Sequence, residues 1–518
     1  MVCGVLPSIV VHAEGTDDGT LEFADQLRGM EVSVRHDALR QFVIDVLSDV
    51  SGAAFAWDAA ADECWWEVCG LDSVQLAEVE GVMQHRLGAD VRLSAVAIVH
   101  CTLDGLVQYL DDALSRSHAA AIPSVDPGQA PHMPVVELSE MQPLPPGGSR
   151  RARVRLGPIG VAHPDEALLS NRIVMEAFRE AQVGNMRNRR ALSHLYDARE
   201  DSLCGIRTSV MTQRALDLFD LSVRTDGSLD ISRLRDPSVE ERMEVYFPCA
   251  KALALSAAQS ALEQSGVGPE EITNLVTVSS TGFKAPGVDL FLVRALRLPE
   301  TVQRTNICFM GCHAAFNALN VAEAFASGGR TVLVVCVEVC FIHAQPKHPD
   351  LDVVISNVLF RDGAAAAVVS SGESLRGAAP EIAGTASELL PDSMEDMGWL
   401  CKNNGFLMRM SVRVPTVIFK HIQGFVDAAL ATHALTRPEV GGWAIHPGGP
   451  KIVAQVVAAL HLPAGAERQS LEVFERHGNM SSGTVLQIVG LLMRDDVPRP
   501  WVGLAFGPGL QAEFILFR

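Results

Sequence analysis

The 518-residue sequence has few basic residues: 42 Lys and Arg stand against 62 Asp and Glu, which gives a formal net charge of −20. Proteins that bind nucleic acid through its phosphates need clustered Lys and Arg, so we expect no nucleic-acid partner. The sequence also lacks an apolar stretch long enough to cross a bilayer, and its mildly apolar N-terminus has no basic leader. We therefore expect no membrane span.

Cysteine pairs with the CxxC spacing are missing as well. The eleven cysteines are scattered from Cys3 to Cys401, without a CxxC motif. Zinc sites and disulfide frameworks depend on such pairs. The sequence thus indicates reduced thiols, no bound metal and a cytoplasmic location.

The overall composition is typical of globular domains. With 48% hydrophobic and 20% charged residues, a chain of this length predicts two or three domains. Residues 1–35 form an N-terminal extension whose role the sequence leaves open. Residues 36–116 contain three amphipathic segments, which predict a small all-α bundle. Residues 117–150 are rich in proline and small residues, which is typical of a linker.

Residues 151–518 have a different pattern, in which apolar runs alternate with helical periodicity. The runs "TVLVVCVEVC" and "GAAAAVVSS" predict buried strands, and "FPCAKALALSAAQSALEQSG" predicts a helix. Buried strands need cover on both faces. This region therefore predicts an α/β domain.

Three residues of this α/β domain are candidates for nucleophilic chemistry. Cys312 lies between an apolar run and an alanine-rich helix, where the helix dipole would stabilise a thiolate, and the preceding glycine permits a sharp turn. His446 ends a short apolar strand in "WAIHPGGPKI", and Asn479 precedes a helix in "HGNMSSGTVLQIV". Taken singly, each also fits a structural role, because free cysteines usually pack as small apolar residues and lone His or Asn residues are more often structural.

Six motifs that follow one another in a characteristic order favour a catalytic role for these three residues. "STGFKAPGVD", "GCHAA", "LFRDGAAAAVV", "HPGGPKI", "GNMSSG" and "FGPGL" together resemble the type III polyketide synthases, the chalcone synthase-like branch of the thiolase fold. The resemblance covers residues 151–518. It implies a thiolase-like α/β fold of duplicated αβαβα layers, and a homodimer.

The resemblance also implies a Cys-His-Asn site without a metal. Cys312 would accept the acyl group of a thioester starter, delivered by CoA or by an acyl carrier, and His446 would stabilise its thiolate as an ion pair. His446 and Asn479 would hydrogen-bond the thioester carbonyl of malonyl-CoA as it loses carbon dioxide. The resulting carbanion would attack the acyl group on Cys312, which makes the protein an acyltransferase.

Further positions follow from the same resemblance. Phe360 matches the aromatic gate of the reaction cavity, and Met408 stands at the second gate position, where a thioether suits a bulky or long starter. The remaining matches are to cavity and CoA-entrance positions: Ser280, Arg207, Gly507, Pro508 and Gly509. Ser280 replaces a cysteine found in bacterial tetrahydroxynaphthalene synthases, which argues against that product. Arg361 replaces the glycine that usually follows the gate residue, and Arg207 fits an exposed salt bridge equally well.

The stretch "CGLDSVQL" presents Ser73 at the start of a predicted helix. Capping of that helix is the simple interpretation. However, residues 37–115 resemble an acyl carrier protein, in which this serine carries 4'-phosphopantetheine, attached by a phosphopantetheinyl transferase. The sequence therefore predicts an all-α carrier domain that delivers acyl groups in cis to the synthase domain.

The predicted reaction is iterative condensation of a starter with malonyl units, followed by cyclisation to an alkylpyrone or alkylresorcinol. A fatty acyl starter is our first choice for the carrier's cargo, and a malonyl extender is the second. A ketoacyl synthase III-like enzyme that performs one condensation is the alternative. A non-catalytic carrier scaffold is the alternative from another functional class.

Overall fold

The computed structural model describes residues 18–51, 79, 82–83, 86–87, 103–119, 153–164, 168–182, 208–210, 213–348, 350–372, 375–376, 379–411 and 413–518. The chain divides into two compact units, residues 1–145 and 146–518. Ser73 and Arg207 lie outside the described residues, as does the predicted linker after Ala119. Across the described ranges, no helix is both long and apolar enough to cross a membrane, and no group of three His, Cys, Asp or Glu residues could hold a metal ion.

The first unit contains three described helices: α1 (Asp18–Arg28), α2 (Val32–Ser51) and α3 (Leu103–Ala119). They share one apolar cluster, to which α2 contributes Leu39 and Val43. Val79, Met83 and Leu87 are also helical and fully buried in this cluster, with the four-residue spacing of a single helix face.

Helix α1 lies within residues 1–35, which the sequence assigned to an extension. Its Ala24 and Leu27 are 1% exposed and belong to the same apolar cluster as α2 and α3. Helix α2 begins at Val32, four residues before the predicted domain boundary. The packed helical unit therefore starts earlier than the predicted boundary, because α1 is only 11 residues long and mostly polar.

The second unit is built on two large sheets. Its strands are β1 (Arg155–Leu156), β2 (Gly160–Ala162), β3 (Leu168–Ser170), β4 (Thr208–Val210), β5 (Ser222–Val223), β6 (Leu229–Asp230), β7 (Asn274–Ser279), β8 (Gln303–Cys308), β9 (Thr331–Glu338), β10 (Gly363–Ser370), β11 (Ile382–Leu389), β12 (Met397–Lys402), β13 (Gly405–Met410), β14 (Gly442–Ile445), β15 (Trp501–Gly507) and β16 (Gln511–Phe517). One sheet has the order β1-β10-β9-β7-β8, with β2 also paired to β10. The other has the order β11-β16-β15-β14.

The helices of this unit are α4 (Asn171–Ala181), α5 (Gln213–Phe219), α6 (Val239–Ser265), α7 (Val288–Ala295), α8 (Ala314–Ser327), α9 (Leu351–Leu359), α10 (Val414–Ala431), α11 (Pro450–Leu460), α12 (Arg468–His477) and α13 (Ser482–Arg494). Short 3-10 turns occur at Pro269–Glu271, Gly311–His313, Phe341–His343 and Arg437–Glu439. A serine and a glutamate form a capping box at the start of α6, and a left-handed glycine ends it.

Three apolar cores arrange these elements in five layers. The central core joins α8 and α13 to both sheets, through residues such as Ala318, Val485 and Ala505. The outer face of the first sheet packs on α6, and the outer face of the second packs on α10 and α11. The order is helix, sheet, helices, sheet, helices. The predicted αβαβα layering of the α/β domain is therefore confirmed.

Candidate active site

Cys312 lies on a sharp turn between β8 and α8. Gly311 has a φ of +79°, a conformation that suits glycine, and a Cβ atom there would stand 2.6 Å from Pro508 Cδ. The Gly311 N–H donates to Ser280 Oγ at 3.0 Å. These constraints hold Cys312, which is 4% exposed, in the 3-10 turn that leads into α8.

Asn479 reaches the same place from the other half of the fold. It follows Gly478, which ends α12. Its backbone N–H donates to Leu359 O at 3.0 Å, and its carbonyl accepts from Arg361 N at 2.8 Å. The Ser481 N–H donates to Asn479 Oδ1 at 2.8 Å, which orients the amide. Asn479 Nδ2 is 4.0 Å from Cys312 Sγ, so two residues 167 positions apart in sequence meet.

His446 directly follows β14, and its N–H donates to Leu504 O at 2.8 Å. The side chain is 1% exposed, and neither ring nitrogen makes a hydrogen bond with any residue that the structure describes. Burial lowers the pKa of His446 to about 3, and the nearby His313 ring adds to that effect. Both nitrogens of an imidazole without partners are free to meet a substrate carbonyl or a thiol proton.

Burial acts against the charged forms of both groups in the expected ion pair. Burial raises the pKa of Cys312 to about 12, although the Ser481 hydroxyl acts in the opposite direction. Burial therefore opposes ionisation of both the Cys312 thiol and the His446 imidazole. A neutral imidazole acts on the thiol as a general base.

A small apolar chamber lies beside the nucleophile, where Phe360 and Met408 share an apolar cluster with Cys312. Its volume is about 20 Å³, close to what one water molecule needs. The full lining is Cys340, His343, Ala344, Val353, Ser356, Asn357, Phe360, Trp399, Phe406 and Met408.

Trp399 and Phe406 were missed by the analysis of the sequence. They lie on the hairpin of β12 and β13, in which Trp399 is paired with Met408. The Trp399 ring contacts the Phe360 ring edge to face at 6.5 Å, and Phe406 stacks on His343 at 4.2 Å. The strand-like stretch "MGWLCK" was the available signal. Successive side chains of a strand point to opposite faces, so Trp399 and the exposed Leu400 lie on opposite faces.

The structure places Ser280 and the loop of Gly507, Pro508 and Gly509 around the nucleophile turn, and the described chamber lining does not include them. Ser280 Oγ accepts a hydrogen bond from Gly311 N, and the Pro508 ring packs against Gly311. Gly507, the last residue of β15, lies against the ring of His313. Their influence on the chamber acts through the position of Cys312.

A buried carboxylate behind the nucleophile was also missed. Glu338 is fully buried at the end of β9, and its Oε2 accepts from Ser280 N at 2.9 Å and from Thr281 Oγ1 at 2.8 Å. Its Oε1 accepts from Ser482 Oγ at 2.6 Å. Burial raises the pKa of Glu338 against the effect of these hydrogen bonds. The carboxylate ties β9 to the start of α13.

Arg361 has a defined structural role. Its guanidinium is 2% exposed and donates to Phe360 O at 2.6 Å and to Asn357 O at 3.3 Å. These bonds cap the last turn of α9 and hold the backbone of the gate residue. The adjacent Asp362 accepts from Phe341 N at 2.9 Å, and burial raises the pKa of Asp362 to about 6.

Known proteins share this fold and these sequence features. The alpha-pyrone synthesis polyketide synthase-like Pks18 of Mycobacterium tuberculosis is 34% identical over 301 residues, which cover 56% of this chain and 76% of that protein. The 1,3,6,8-tetrahydroxynaphthalene synthase of Streptomyces peucetius subsp. caesius is 36% identical over 275 residues, covering 52% and 72%. The crystal structure of PKS-I from the brown alga Ectocarpus siliculosus matches with a TM-score of 0.64 at 25% identity, covering 72% of this chain and 99% of that one.

Two family models together match most of the α/β unit. The N-terminal domain of chalcone and stilbene synthases matches residues 149–373, and the C-terminal domain matches residues 381–518. The chain therefore belongs to the chalcone and stilbene synthase family, the type III polyketide synthases, which are acyltransferases that perform decarboxylative Claisen condensation with malonyl-CoA.

Proposed function

We propose that this chain is an acyl carrier protein fused to a type III polyketide synthase that makes alkylpyrones or alkylresorcinols. The observation that carries the proposal is the meeting of Cys312 with Asn479 beside an apolar chamber whose lining includes Phe360 and Met408. The relative Pks18, whose name refers to alpha-pyrone synthesis, supports the pyrone class of product.

Loading begins when Cys312 attacks the carbonyl of a thioester starter. His446 takes the thiol proton as the sulfur–carbon bond forms, and the departing thiolate receives it. A malonyl thioester then enters, and its carbonyl oxygen accepts hydrogen bonds from His446 and Asn479 as carbon dioxide leaves. The enolate carbon attacks the acyl group, and the Cys312–acyl bond breaks. Repetition lengthens the chain before cyclisation.

The chamber suits an alkyl starter better than a polar one. Its lining is dominated by aromatic and sulfur-containing side chains, including Phe360, Trp399 and Met408. The Met408 thioether has three rotatable bonds and adapts to chains of different length. A fatty acyl group is therefore the proposed starter, with malonyl units as extenders.

The proposed carrier lies in the helical unit. Helices α2 and α3 and the buried residues Val79, Met83 and Leu87 agree with a small bundle. A 4'-phosphopantetheine arm on Ser73, attached by a phosphopantetheinyl transferase, would supply the thiol that carries the acyl group. Tethering would raise the effective concentration of that group to the order of mM. Described cysteines such as Cys312 and Cys340 are free, which agrees with a cytoplasmic enzyme.

Mass spectrometry of the intact chain tests the carrier. The native chain and Ser73→Ala are each incubated with CoA and a broad-specificity phosphopantetheinyl transferase. We expect a phosphopantetheine mass gain in the native chain and none in Ser73→Ala. A folded native chain that gains no mass would leave Ser73 as a helix cap and the synthase as an enzyme supplied by free acyl-CoA.

The product tests the synthase. The chain is supplied with a fatty acyl-CoA and malonyl-CoA, with Cys312→Ala as the control. Cyclic products that contain several malonyl-derived units support the proposal. A linear product of one condensation would support the ketoacyl synthase III-like alternative, and an unchanged product from Cys312→Ala would refute the nucleophile.

We also propose that the synthase domain forms a homodimer through strand β8. This strand ends its sheet, and Gln303, Arg304 and Asn306 on it are exposed. Two large aromatic side chains near its end are exposed as well, Phe283 at 55% and Phe309 at 42%. A second copy paired along β8 would cover the open edge and both rings.

A further inference from the structure

A second cavity, which we call the α13 cleft, lies between β2 and the helices α12 and α13. Its described lining extends from His477, at the end of α12, to Trp501, at the start of β15. The cleft has a volume of about 660 Å³ and shares no described lining residue with the chamber beside Cys312. Cavities of this size hold small organic ligands in other proteins.

One wall of the α13 cleft is apolar. Leu491 and Met493 on α13, with Val497 after it, are half-buried and present part of their apolar surface to the cleft. Val161 of β2 is 42% exposed and also lines it. An alkyl group placed here would remove that surface from water, which is favourable.

Two stacked imidazoles extend this wall. The rings of His163 and His477 lie face to face, with their centroids 3.7 Å apart and an angle of 8° between their planes. Burial lowers the pKa of His163 to about 3 and the pKa of His477 to about 4. Both rings are therefore uncharged at neutral pH, which agrees with their stacking, because two cationic rings would repel each other.

The charged side chains around the α13 cleft are mainly basic. Among the described lining residues, four arginines stand against two carboxylates: Arg376, Arg476, Arg494 and Arg499 against Glu472 and Asp496. Arg476 and Arg494 each lie 3.3 Å from Glu472. In a chain with a net charge of −20, this cleft is a local site of positive charge.

The other two guanidinium groups have no carboxylate partner in the part of the chain that the structure describes. Arg499 lies over the Trp501 ring at 5.7 Å and donates to Arg518 O at 3.5 Å. The Arg376 side chain runs beside Gly266, the glycine that ends α6. A guanidinium carries five N–H donors in a planar fork that matches carboxylate and phosphate oxygens. These two arginines are therefore available to an anionic group in the cleft.

We propose that the α13 cleft binds an amphipathic anion, in which a carboxylate or phosphate head contacts Arg376 and Arg499 and an alkyl body covers Leu491 and Val497. The unpaired arginines favour an anion over a neutral lipid, and the apolar wall favours an alkyl body over a small inorganic anion. Helix α13 has 13 residues, so its arginine end lies about 18 Å from the end beside Asn479. The inference therefore goes beyond the proposed synthase reaction and does not depend on it.

Calorimetric titration of the full-length chain tests the class of ligand. The probes are dodecanoate, dodecyl phosphate and neutral dodecanol, each below the concentration at which it aggregates. We expect at least one of the two anions to bind at least tenfold more tightly than dodecanol, and the tighter anion identifies the head group. Equal affinity for all three probes would overturn the proposal.

Photochemical cross-linking locates the bound molecule. A dodecanoate with a diazirine near the end of its alkyl chain is irradiated with the chain, and the labelled peptides are identified by mass spectrometry. We expect label within residues 487–501, which line the α13 cleft. Label confined to the chamber, on peptides that contain Phe360 or Met408, would overturn the proposal.

Variants of the head-group site and of the apolar wall test the assigned contacts. Arg376→Gln and Arg499→Gln should each weaken binding of the anion about tenfold, because each removes charge-assisted hydrogen bonds. Arg330→Gln is the matched control, because Arg330 is exposed outside the cleft. Thermal unfolding of each variant shows that the fold is retained.

Val161→Trp should also weaken binding, because the larger ring fills the space of the alkyl body. Val223→Trp is its control, since Val223 is 45% exposed on β5 and outside the cleft. Unchanged affinity in the two arginine variants and in Val161→Trp would overturn the proposal. A native chain that binds the anion but forms no polyketide would contradict the proposed function alone, so the two proposals can fail separately.

Discussion

Gly507 lies directly against the imidazole of His313, so that a Cβ atom at position 507 would overlap His313 Nδ1. His313 immediately follows Cys312 in the 3-10 turn. The end of β15 thus fixes the position of the nucleophile from behind. The position of Cys312 therefore depends on the absence of a side chain at Gly507.

Gly507→Ala should displace the nucleophile turn. The added methyl group must push His313, and with it Cys312, away from Asn479. Overpacking of this kind costs about 1–3 kcal/mol of stability. We expect kcat to fall at least tenfold, while KM for malonyl-CoA changes little. Steady-state kinetics and thermal unfolding measure the two effects. Gly424→Ala, within α10, is the control, because a Cβ atom there meets open space.

Trp399→Leu should enlarge the chamber. The Trp399 ring lies against Phe360, and a smaller side chain leaves room for additional methylene groups. We expect the ratio of kcat/KM for a long over a short acyl-CoA starter to rise about tenfold. Leu400→Ala, on the opposite face of β12 and 41% exposed, should leave the ratio unchanged. An equal effect in both variants would show that the chamber does not select the starter.

The free enzyme should show a thiol that ionises late. Because burial raises the pKa of Cys312 to about 12, the thiolate fraction rises about tenfold with each pH unit across neutrality. Alkylation of Cys312 should follow that slope between pH 6 and 9. An ion pair with His446 would instead make alkylation nearly independent of pH in this range.

Asp362 should make the fold less stable at neutral than at acidic pH. Burial raises the pKa of Asp362 to about 6, so the folded chain binds more protons than the unfolded chain between about pH 4 and 6. The free energy of unfolding therefore falls as the pH rises through this window, by about 3 kcal/mol from this group. Above about pH 6, Asp362 is ionised in both the folded and the unfolded chain, so this group lowers the free energy of unfolding no further.

Asp362→Asn should remove that loss, because an amide does not ionise and its oxygen still accepts from Phe341 N. We expect the variant to gain in Tm relative to the native chain between pH 5 and pH 8. Asp217→Asn, at an exposed position on α5, is the control. A constant difference in Tm across the range would contradict the ionisation of Asp362.

Phe309→Asp should weaken the proposed dimer. A buried carboxylate without a partner disfavours association along β8, and aspartate tolerates the φ of +57° found at this position. Sedimentation velocity should show a shift from dimer to monomer at low protein concentration. Phe419→Asp is matched to it, because Phe419 is 43% exposed on α10. A monomeric native chain would refute the interface outright.

Much of the fold could be predicted from the sequence because several central strands are fully buried. Strand β10 consists of apolar and small residues that are all buried, so its pattern is a continuous apolar run. Strand β8 was less evident, because its exposed edge carries Gln303, Arg304 and Asn306. Helix α1 was assigned to an extension for a similar reason, since most of its surface is polar.

The motifs around Cys312 and Asn479 predicted residues that the fold brings together. Trp399 and Glu338 were not predicted, because their roles depend on tertiary contacts that no local pattern carries. Glu338 ends an apolar strand, and only the fold shows that Ser280, Thr281 and Ser482 surround its carboxylate. Ser280 was expected at the cavity and instead supports Gly311 from behind.

The chamber of about 20 Å³ has a consequence for product length. A growing chain must make its own space by displacing side chains such as Met408 and Trp399. Each methylene that enters contributes about 0.8 kcal/mol of burial. Elongation would continue while this burial free energy exceeds the cost of displacing the next wall side chain. It would stop at the first side chain whose displacement costs more. In the proposed reaction, product length would then depend on how far the wall side chains can be displaced rather than on the resting volume of the chamber.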